Sequence, residues 1–226
     1  MDCFEKLKHA FETYANPEDA APMAAYMKNQ FQFLGLKSPT RKDLQKEFIK
    51  KAKLLPDNEF IDLIRLLWSQ PYREYQYTAC DLLDRNKKRI PENYITEFEW
   101  LITTKSWWDS VDGIVPRSLG YYFRNYPEQI ENYIPKWVNQ KNIWLQRAAI
   151  LFQLKYKEKT NTELLFDMIV KLKNSNEFFV NKAIGWALRE YSKTNPKEVV
   201  IFVAANKLSN LSHREALKVI NLKSNL

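Results

Sequence analysis

Glycine is scarce in this chain of 226 residues, with only Gly35, Gly113, Gly120 and Gly185. That excludes a glycine-rich phosphate loop, and with it the common nucleotide-cradling enzymes, and it leaves too few turn residues for an all-β fold. Cys3 and Cys80 are too few and too scattered for a disulfide framework or a zinc cluster. With His9 and His213 as the only histidines, neither a metal site nor a cofactor is expected. No apolar run is long enough to span a bilayer, and the start Met1-Asp2-Cys3-Phe4-Glu5 lacks the basic-then-apolar order of a signal peptide. A cytoplasmic location is expected.

What the chain does have is a core and a charge. Hydrophobic residues make up 45% of it, enough for one good-sized domain or an array of small repeating units, and the formal charge is +8. Clustered Lys and Arg release counterions from a nucleic-acid backbone, so a polyanionic partner is favoured over a neutral one.

The apolar spacing is helical throughout. Phe4 to Tyr14 reads as an amphipathic helix, and Asn16-Pro17 restarts the chain into a second one to about Met27. Ser38-Pro39 opens a helix carrying Leu44, Phe48, Ala52 and Leu55 on its apolar side. Phe60, Leu63, Ile64 and Leu67 fall at i, i+3, i+4, i+7. A helix from about Pro71 then runs into the charged connector Arg85-Asn86-Lys87-Lys88-Arg89, read as a solvated loop. Glu92 to Thr103 makes an outer helix and Trp107 to Asn125 an inner one, with Pro116 placed to kink or divide it. Helices follow over Pro127 to Gln140, Asn142 to Tyr156, Glu163 to Asn174, Phe178 to Ser192, Pro196 to Leu208 and Arg214 onward. Ser106 with Asp109, Thr160 with Glu163, and Ser212 with Glu215 have the form of capping boxes.

These helices pair, and the second members share a core. Tyr77-Thr78-Ala79, Arg117-Ser118-Leu119, Arg147-Ala148-Ala149, Lys182-Ala183-Ile184 and Arg214-Glu215-Ala216 recur at intervals of roughly 30 to 40 residues, the range of helical solenoids. The expected architecture is an all-α, curved α-solenoid forming a single domain over residues 1–226, with second helices lining a concave basic surface suited to a nucleic-acid duplex.

Two stretches stand out. In Ser106-Trp107-Trp108-Asp109-Ser110-Val111-Asp112, Trp108 and Asp112 stand four apart on one helix face, an aromatic ring beside a carboxylate, which suits a cationic target. Trp107 is read as packing and Asp109 as a complement to the helix dipole. In Lys182-Ala183-Ile184-Gly185-Trp186-Ala187-Leu188-Arg189-Glu190, one stripe presents two cations around an indole, and Gly185 is costly in a helix interior unless something packs close to it.

With these stretches in view, the chain resembles the AlkD-like DNA alkylation repair enzymes, the alkylpurine DNA glycosylases of the HEAT-like-repeat type. The resemblance covers most of the chain. It is carried by Phe33-Leu34-Gly35 with Pro39 and Arg41, by Arg73-Glu74-Tyr75-Gln76-Tyr77, by Lys105 to Asp112, by Arg147, by Lys182 to Tyr191 and by Ser212-His213-Arg214-Glu215-Ala216-Leu217. It implies that Trp108, Asp112 and Trp186 form the active cleft and that Arg147 supports it. Lys37 stands where the family often has a neutral residue.

The implied activity is monofunctional excision of positively charged N3- or N7-alkylated purines, 3-methyladenine and 7-methylguanine, from duplex DNA. Asp112 would stabilise the oxocarbenium-like transition state, and Arg147 would hold a backbone phosphate near the lesion. The residues expected along the DNA are Tyr26, Arg41, Arg117, Lys182, Arg189 and Arg214. The protein is expected to be a monomer without cofactor. A helical-repeat scaffold that binds DNA, RNA or protein without catalysis is the alternative; it would keep the basic surface and have no need of Asp112.

Overall fold

Why the apolar spacing produces helices, and where it fails to, is visible in the computed structural model, which describes residues 2–224. Among them no strand occurs, only an isolated bridge between Gln32 and Tyr72. The chain divides into two compact units, one ending at Arg89 and the other beginning at Ile90. No helix among the described residues is long and apolar enough to cross a membrane.

The first unit holds α1 (Asp2–Thr13), α2 (Pro17–Tyr26), α3 (Ser38–Leu44), α4 (Lys46–Ala52), α5 (Asp57–Ser69) and α6 (Arg73–Asn86). Phe4, Leu7 and Phe11 form the buried face of α1, and the rings of Phe4 and Phe11 lie 6.1 and 5.3 Å from that of Tyr75 on α6. The helix expected to run unbroken from Ser38 breaks at Gln45. Its side chain is buried and takes part in a polar cluster, donating to Asp81 at 2.7 Å and accepting from Arg41 at 2.9 Å. Helical spacing of the apolar residues alone does not reveal that junction.

The Phe33-Leu34-Gly35 turn is pinned by an acid. Glu74 is wholly buried and accepts from the backbone N–H groups of Leu34, Gly35 and Leu36 at 3.0, 2.9 and 3.1 Å. Gly35 has φ +85, and a Cβ there would lie 2.0 Å from the Asn16 carbonyl oxygen, so only glycine fits. The connector expected to be a solvated loop is instead anchored. It forms a 3-10 turn, Lys87–Arg89, whose Arg89 donates to the carbonyls of Lys53 and Leu55 and pairs with Asp57.

The second unit begins with α7 (Ile95–Thr103), followed by α8 (Trp108–Ile114), a π-helical turn (Val115–Leu119), α9 (Gly120–Asn125), α10 (Glu128–Asn139), α11 (Ile143–Leu151), α12 (Thr162–Leu172), α13 (Phe178–Tyr191), α14 (Pro196–Ala205) and α15 (Asn210–Ser224). Pro116 has no N–H to give the Asp112 carbonyl, and the helix widens there, the Gly120 N–H reaching back five residues to Val115. Within this unit α8, α11, α13 and α15 pack one on the next, with α10, α12 and α14 against them. This is the stacking of helix pairs expected of a helical-repeat fold.

The expected capping boxes are not the caps used. Asn161, not Thr160, accepts from the Leu164 N–H and caps α12, and Ser209, not Ser212, accepts from the Ser212 N–H at the start of α15. The Ser212 hydroxyl donates instead to the Asn181 carbonyl on α13 at 2.8 Å. A buried partner on a neighbouring helix has displaced the local one.

Replacing Glu74 by Ala leaves three buried N–H groups without an acceptor, and should cost on the order of 3–5 kcal/mol in urea denaturation. Glu74→Gln, which keeps one acceptor oxygen, should cost less. A loss below about 1 kcal/mol for the alanine variant would mean that the turn is held by other contacts.

Candidate functional site

The site is built where α8 begins. After α7 the backbone turns through Lys105 in the left-handed region, φ 49. This sets the Ser106 hydroxyl against the end of α7, where it donates to the Ile102 carbonyl at 2.7 Å. Ser106 therefore closes the preceding helix, and Trp107 takes the N-cap position of α8 without a side-chain cap. The ring of Trp107 packs 5.6 Å from Trp144 and 5.1 Å from Phe179, the packing role read from the sequence.

One turn into α8, Asp112 meets Arg147 from α11. Arg147 Nε donates to Oδ1 at 2.9 Å and Nη2 to Oδ2 at 2.8 Å, the side-by-side geometry of an arginine on an ionised carboxylate. Nη1 donates to the Phe179 carbonyl on α13 at 2.7 Å. The guanidinium also lies 6.0 Å from the ring centroid of Trp186, likewise on α13. Three consecutive helices of the stack therefore each contribute one of Asp112, Arg147 and Trp186. Trp108, one turn before Asp112, is half-buried.

The burial is uneven. The Arg147 side chain is 3% exposed and that of Asp112 18%. Burial pushes the Asp112 carboxyl above its ordinary value of 3.8, Arg147 opposes the rise by hydrogen bond and charge, and the neighbouring Asp109 adds to it. The phosphate contact expected of Arg147 does not fit this placement: the guanidinium is turned inward and engaged by Asp112 and Phe179. What Arg147 does hold is the carboxylate of Asp112.

The residues expected along DNA divide by environment. Arg117 and Arg214 are exposed in the second unit, and Tyr26 is 70% exposed in the first, on a cavity of about 350 Å³ shared with Met23, Phe33 and Tyr77. Arg41 is different. It is buried, paired with Asp81 at 2.9 Å and hydrogen-bonded to Gln45, an internal brace rather than a phosphate contact. Lys182 and Arg189 flank Trp186 as the stripe required, and both grip Glu215 of α15, Lys182 at 2.7 Å.

In the sequence Glu215 was visible as half of a capping pattern and as part of the last repeat core, neither of which pairs it with Lys182 and Arg189. The signal for its true place was Gly185: a Cβ there would come 2.5 Å from the Glu215 Cβ and 3.0 Å from the Ser212 carbonyl oxygen, so the glycine exists to let α15 approach α13. The Lys182 hydrogen bond holds the Glu215 carboxyl below its ordinary range against the opposing effect of burial, with the charges of Lys182, Arg189 and Lys218 adding to the fall. Among the described residues no group of three or more His, Cys, Asp and Glu could hold a metal ion.

Comparison with known proteins identifies relatives of the whole chain. A family model described as DNA alkylation repair enzyme matches residues 7–220. A solved structure of a predicted DNA alkylation repair enzyme from Enterococcus faecalis is 38% identical, superposes with a TM-score of 0.85, and aligns over 90% of this chain and 95% of its own. A solved Streptococcus mutans protein shares the fold at 20% identity and a TM-score of 0.61, over 79% of this chain and 94% of its own. No curated protein matches the chain.

Gly185→Ala should lower stability by about 1–3 kcal/mol, since neither the Ser212 backbone nor the Glu215 Cβ can give way freely; a melt indistinguishable from wild type would contradict the close approach. Glu215 supplies a pH signature. Its folded carboxyl lies below the ordinary value of 4.5, so its stabilisation is present above that value and disappears as pH falls through the depressed one. The stability gap between wild type and Glu215→Gln should be constant near neutrality and close in acid. A gap independent of pH would mean that the charge plays no part.

Proposed function

The chain belongs to the family of DNA alkylation repair enzymes, and from that premise we propose that it is a DNA glycosylase removing N3- and N7-alkylated purines, 3-methyladenine and 7-methylguanine, from duplex DNA. It acts in base excision repair as a monomer in the cytoplasm, without cofactor. The observation that carries the reading is the carboxylate of Asp112, partly open to solvent and held by a buried arginine that has the Trp186 indole of α13 on its other side.

Alkylation at N3 or N7 puts a positive charge on the purine. When the glycosidic bond breaks, its electron pair leaves with the base, which departs neutral, so little acid catalysis is required. Positive charge then appears on the deoxyribose. Asp112 stabilises that oxocarbenium-like state and orients the water that adds to C1′, the water losing a proton and leaving an abasic site. Trp108 and Trp186 stabilise the same cationic character through their ring faces, at about 0.5–2 kcal/mol each depending on desolvation.

Arg147 is a positioning residue in this scheme. It does not reach the substrate; it fixes both oxygens of Asp112 and offsets the cost of burying them. Tyr26, Arg117 and Arg214, with Lys182 and Arg189, supply contacts to the duplex. Uncharged lesions gain little from a site that offers negative charge and π faces. One observation favours the scaffold reading: Arg147 is buried and makes two hydrogen bonds to Asp112, a salt bridge linking α8 to α11 as a purely structural pair would.

Single-turnover release of 7-methylguanine separates the two. Asp112→Asn should slow release by on the order of 100-fold or more while duplex affinity changes little. The acid limb of the wild-type pH profile should fall off above the ordinary aspartate value of 3.8, because the raised carboxyl takes up its proton, and loses activity, at a higher pH than a free aspartate would. Duplex binding with release of neither 7-methylguanine nor 3-methyladenine by the folded wild type would establish the scaffold instead.

A further inference from the structure

The motif Ser212-His213-Arg214-Glu215-Ala216-Leu217 places a buried acid between two cations of α13, and the chemistry of alkylpurine release does not use it. Glu215 stands over Gly185, with Lys182 on Oε1 and Arg189 on Oε2. The three side chains carry one net positive charge. Their exposure is graded: Lys182 is 40% open, Arg189 24% and Glu215 11%, so a phosphate approaching from solvent meets the cations first and the carboxylate behind them.

The carboxylate cannot retreat from such a phosphate. Its Cβ is packed against the glycine of α13, and α15 is independently fixed there by the Ser212 hydroxyl, which donates to the Asn181 carbonyl at 2.8 Å. With that second tie the ion pairs are not the sole hold on α15. They add stability, as the acid dependence expected of Glu215 requires, and a fixed negative charge behind two more exposed cations has a further effect that the Ser212 hydrogen bond does not supply.

We propose that Glu215 is an electrostatic brake on DNA binding: by holding Lys182 and Arg189 it removes about one phosphate neutralisation from the contact with the duplex. The proposal rests on the reading of duplex DNA as the partner. Its consequence is weaker binding of undamaged backbone and quicker departure from it, in an enzyme that must pass over many normal base pairs for each lesion.

The test is the salt dependence of binding to an undamaged duplex, read by fluorescence anisotropy, for wild type, Glu215→Gln and the apolar near-isostere Glu215→Met, with melts to confirm folding. Releasing one neutralisation should steepen the slope of log K against log salt by about 0.9, which is about eightfold tighter binding at about 0.1 M salt. Weaker binding, an unchanged slope, or loss of folding in both variants at the assay temperature would overturn the proposal and leave Glu215 a structural residue. Because no excision is measured, the outcome is separable from the glycosylase reading. Duplex binding without base release sinks that reading alone, and an unchanged slope with release intact sinks the brake alone.

Discussion

A carboxylate leaves water only at a cost of several kcal/mol unless a partner meets it, and Arg147 is that partner for Asp112. The requirement runs outward from there. Arg147 must itself be buried, and it is, at 3% exposed. Its remaining donor must find an acceptor, and the Phe179 carbonyl at the start of α13 provides one. One guanidinium thus ties α8, α11 and α13 together, and the stacking of the second unit and the geometry of its site are the same constraint seen from two sides.

The first unit handles an acid by another route. Glu74 is wholly buried and accepts from three backbone N–H groups of a single turn. Asp112 is held from one side by a side chain and left partly open on the other. Both carboxylates accept more than one hydrogen bond. The difference in what surrounds them separates an acid that shapes a loop from one that keeps an edge open to solvent.

Much of this was legible from residue spacing, and its limits are physical. Phe4, Leu7 and Phe11, or Phe60, Leu63, Ile64 and Leu67, announce their helices because one helix repeats its own face. Gly185 announced a close approach because glycine inside a helix otherwise has no compensation. What spacing could not convey was which distant residue would arrive. Ser106, Thr160 and Ser212 have local capping partners in the sequence, yet the hydroxyl of Ser106 turned back to α7 and that of Ser212 to another helix. Gln45 was drawn into a cluster with Arg41 and Asp81, and Arg147 turned inward to a carboxylate 35 positions away. The roles of Gln45, Arg147 and Ser212 were set by contacts remote in sequence and that of Ser106 by a carbonyl four residues back, while the elements that carry them were set by neighbours.

The widened turn at Val115–Leu119 has a meaning for the phase of the chain. A π turn holds one residue more than its α-helical equivalent, which rotates everything after it by about 100° relative to an uninterrupted helix. Asp112 lies before the turn, and the buried Tyr122 and Phe123 lie after it. The face that presents the carboxylate and the face that fills the core are therefore indexed separately on what began as one helix. Removing a single residue from this turn would not shorten the helix so much as retune it, leaving Asp112 against Arg147 or the aromatic pair in the core, but not both.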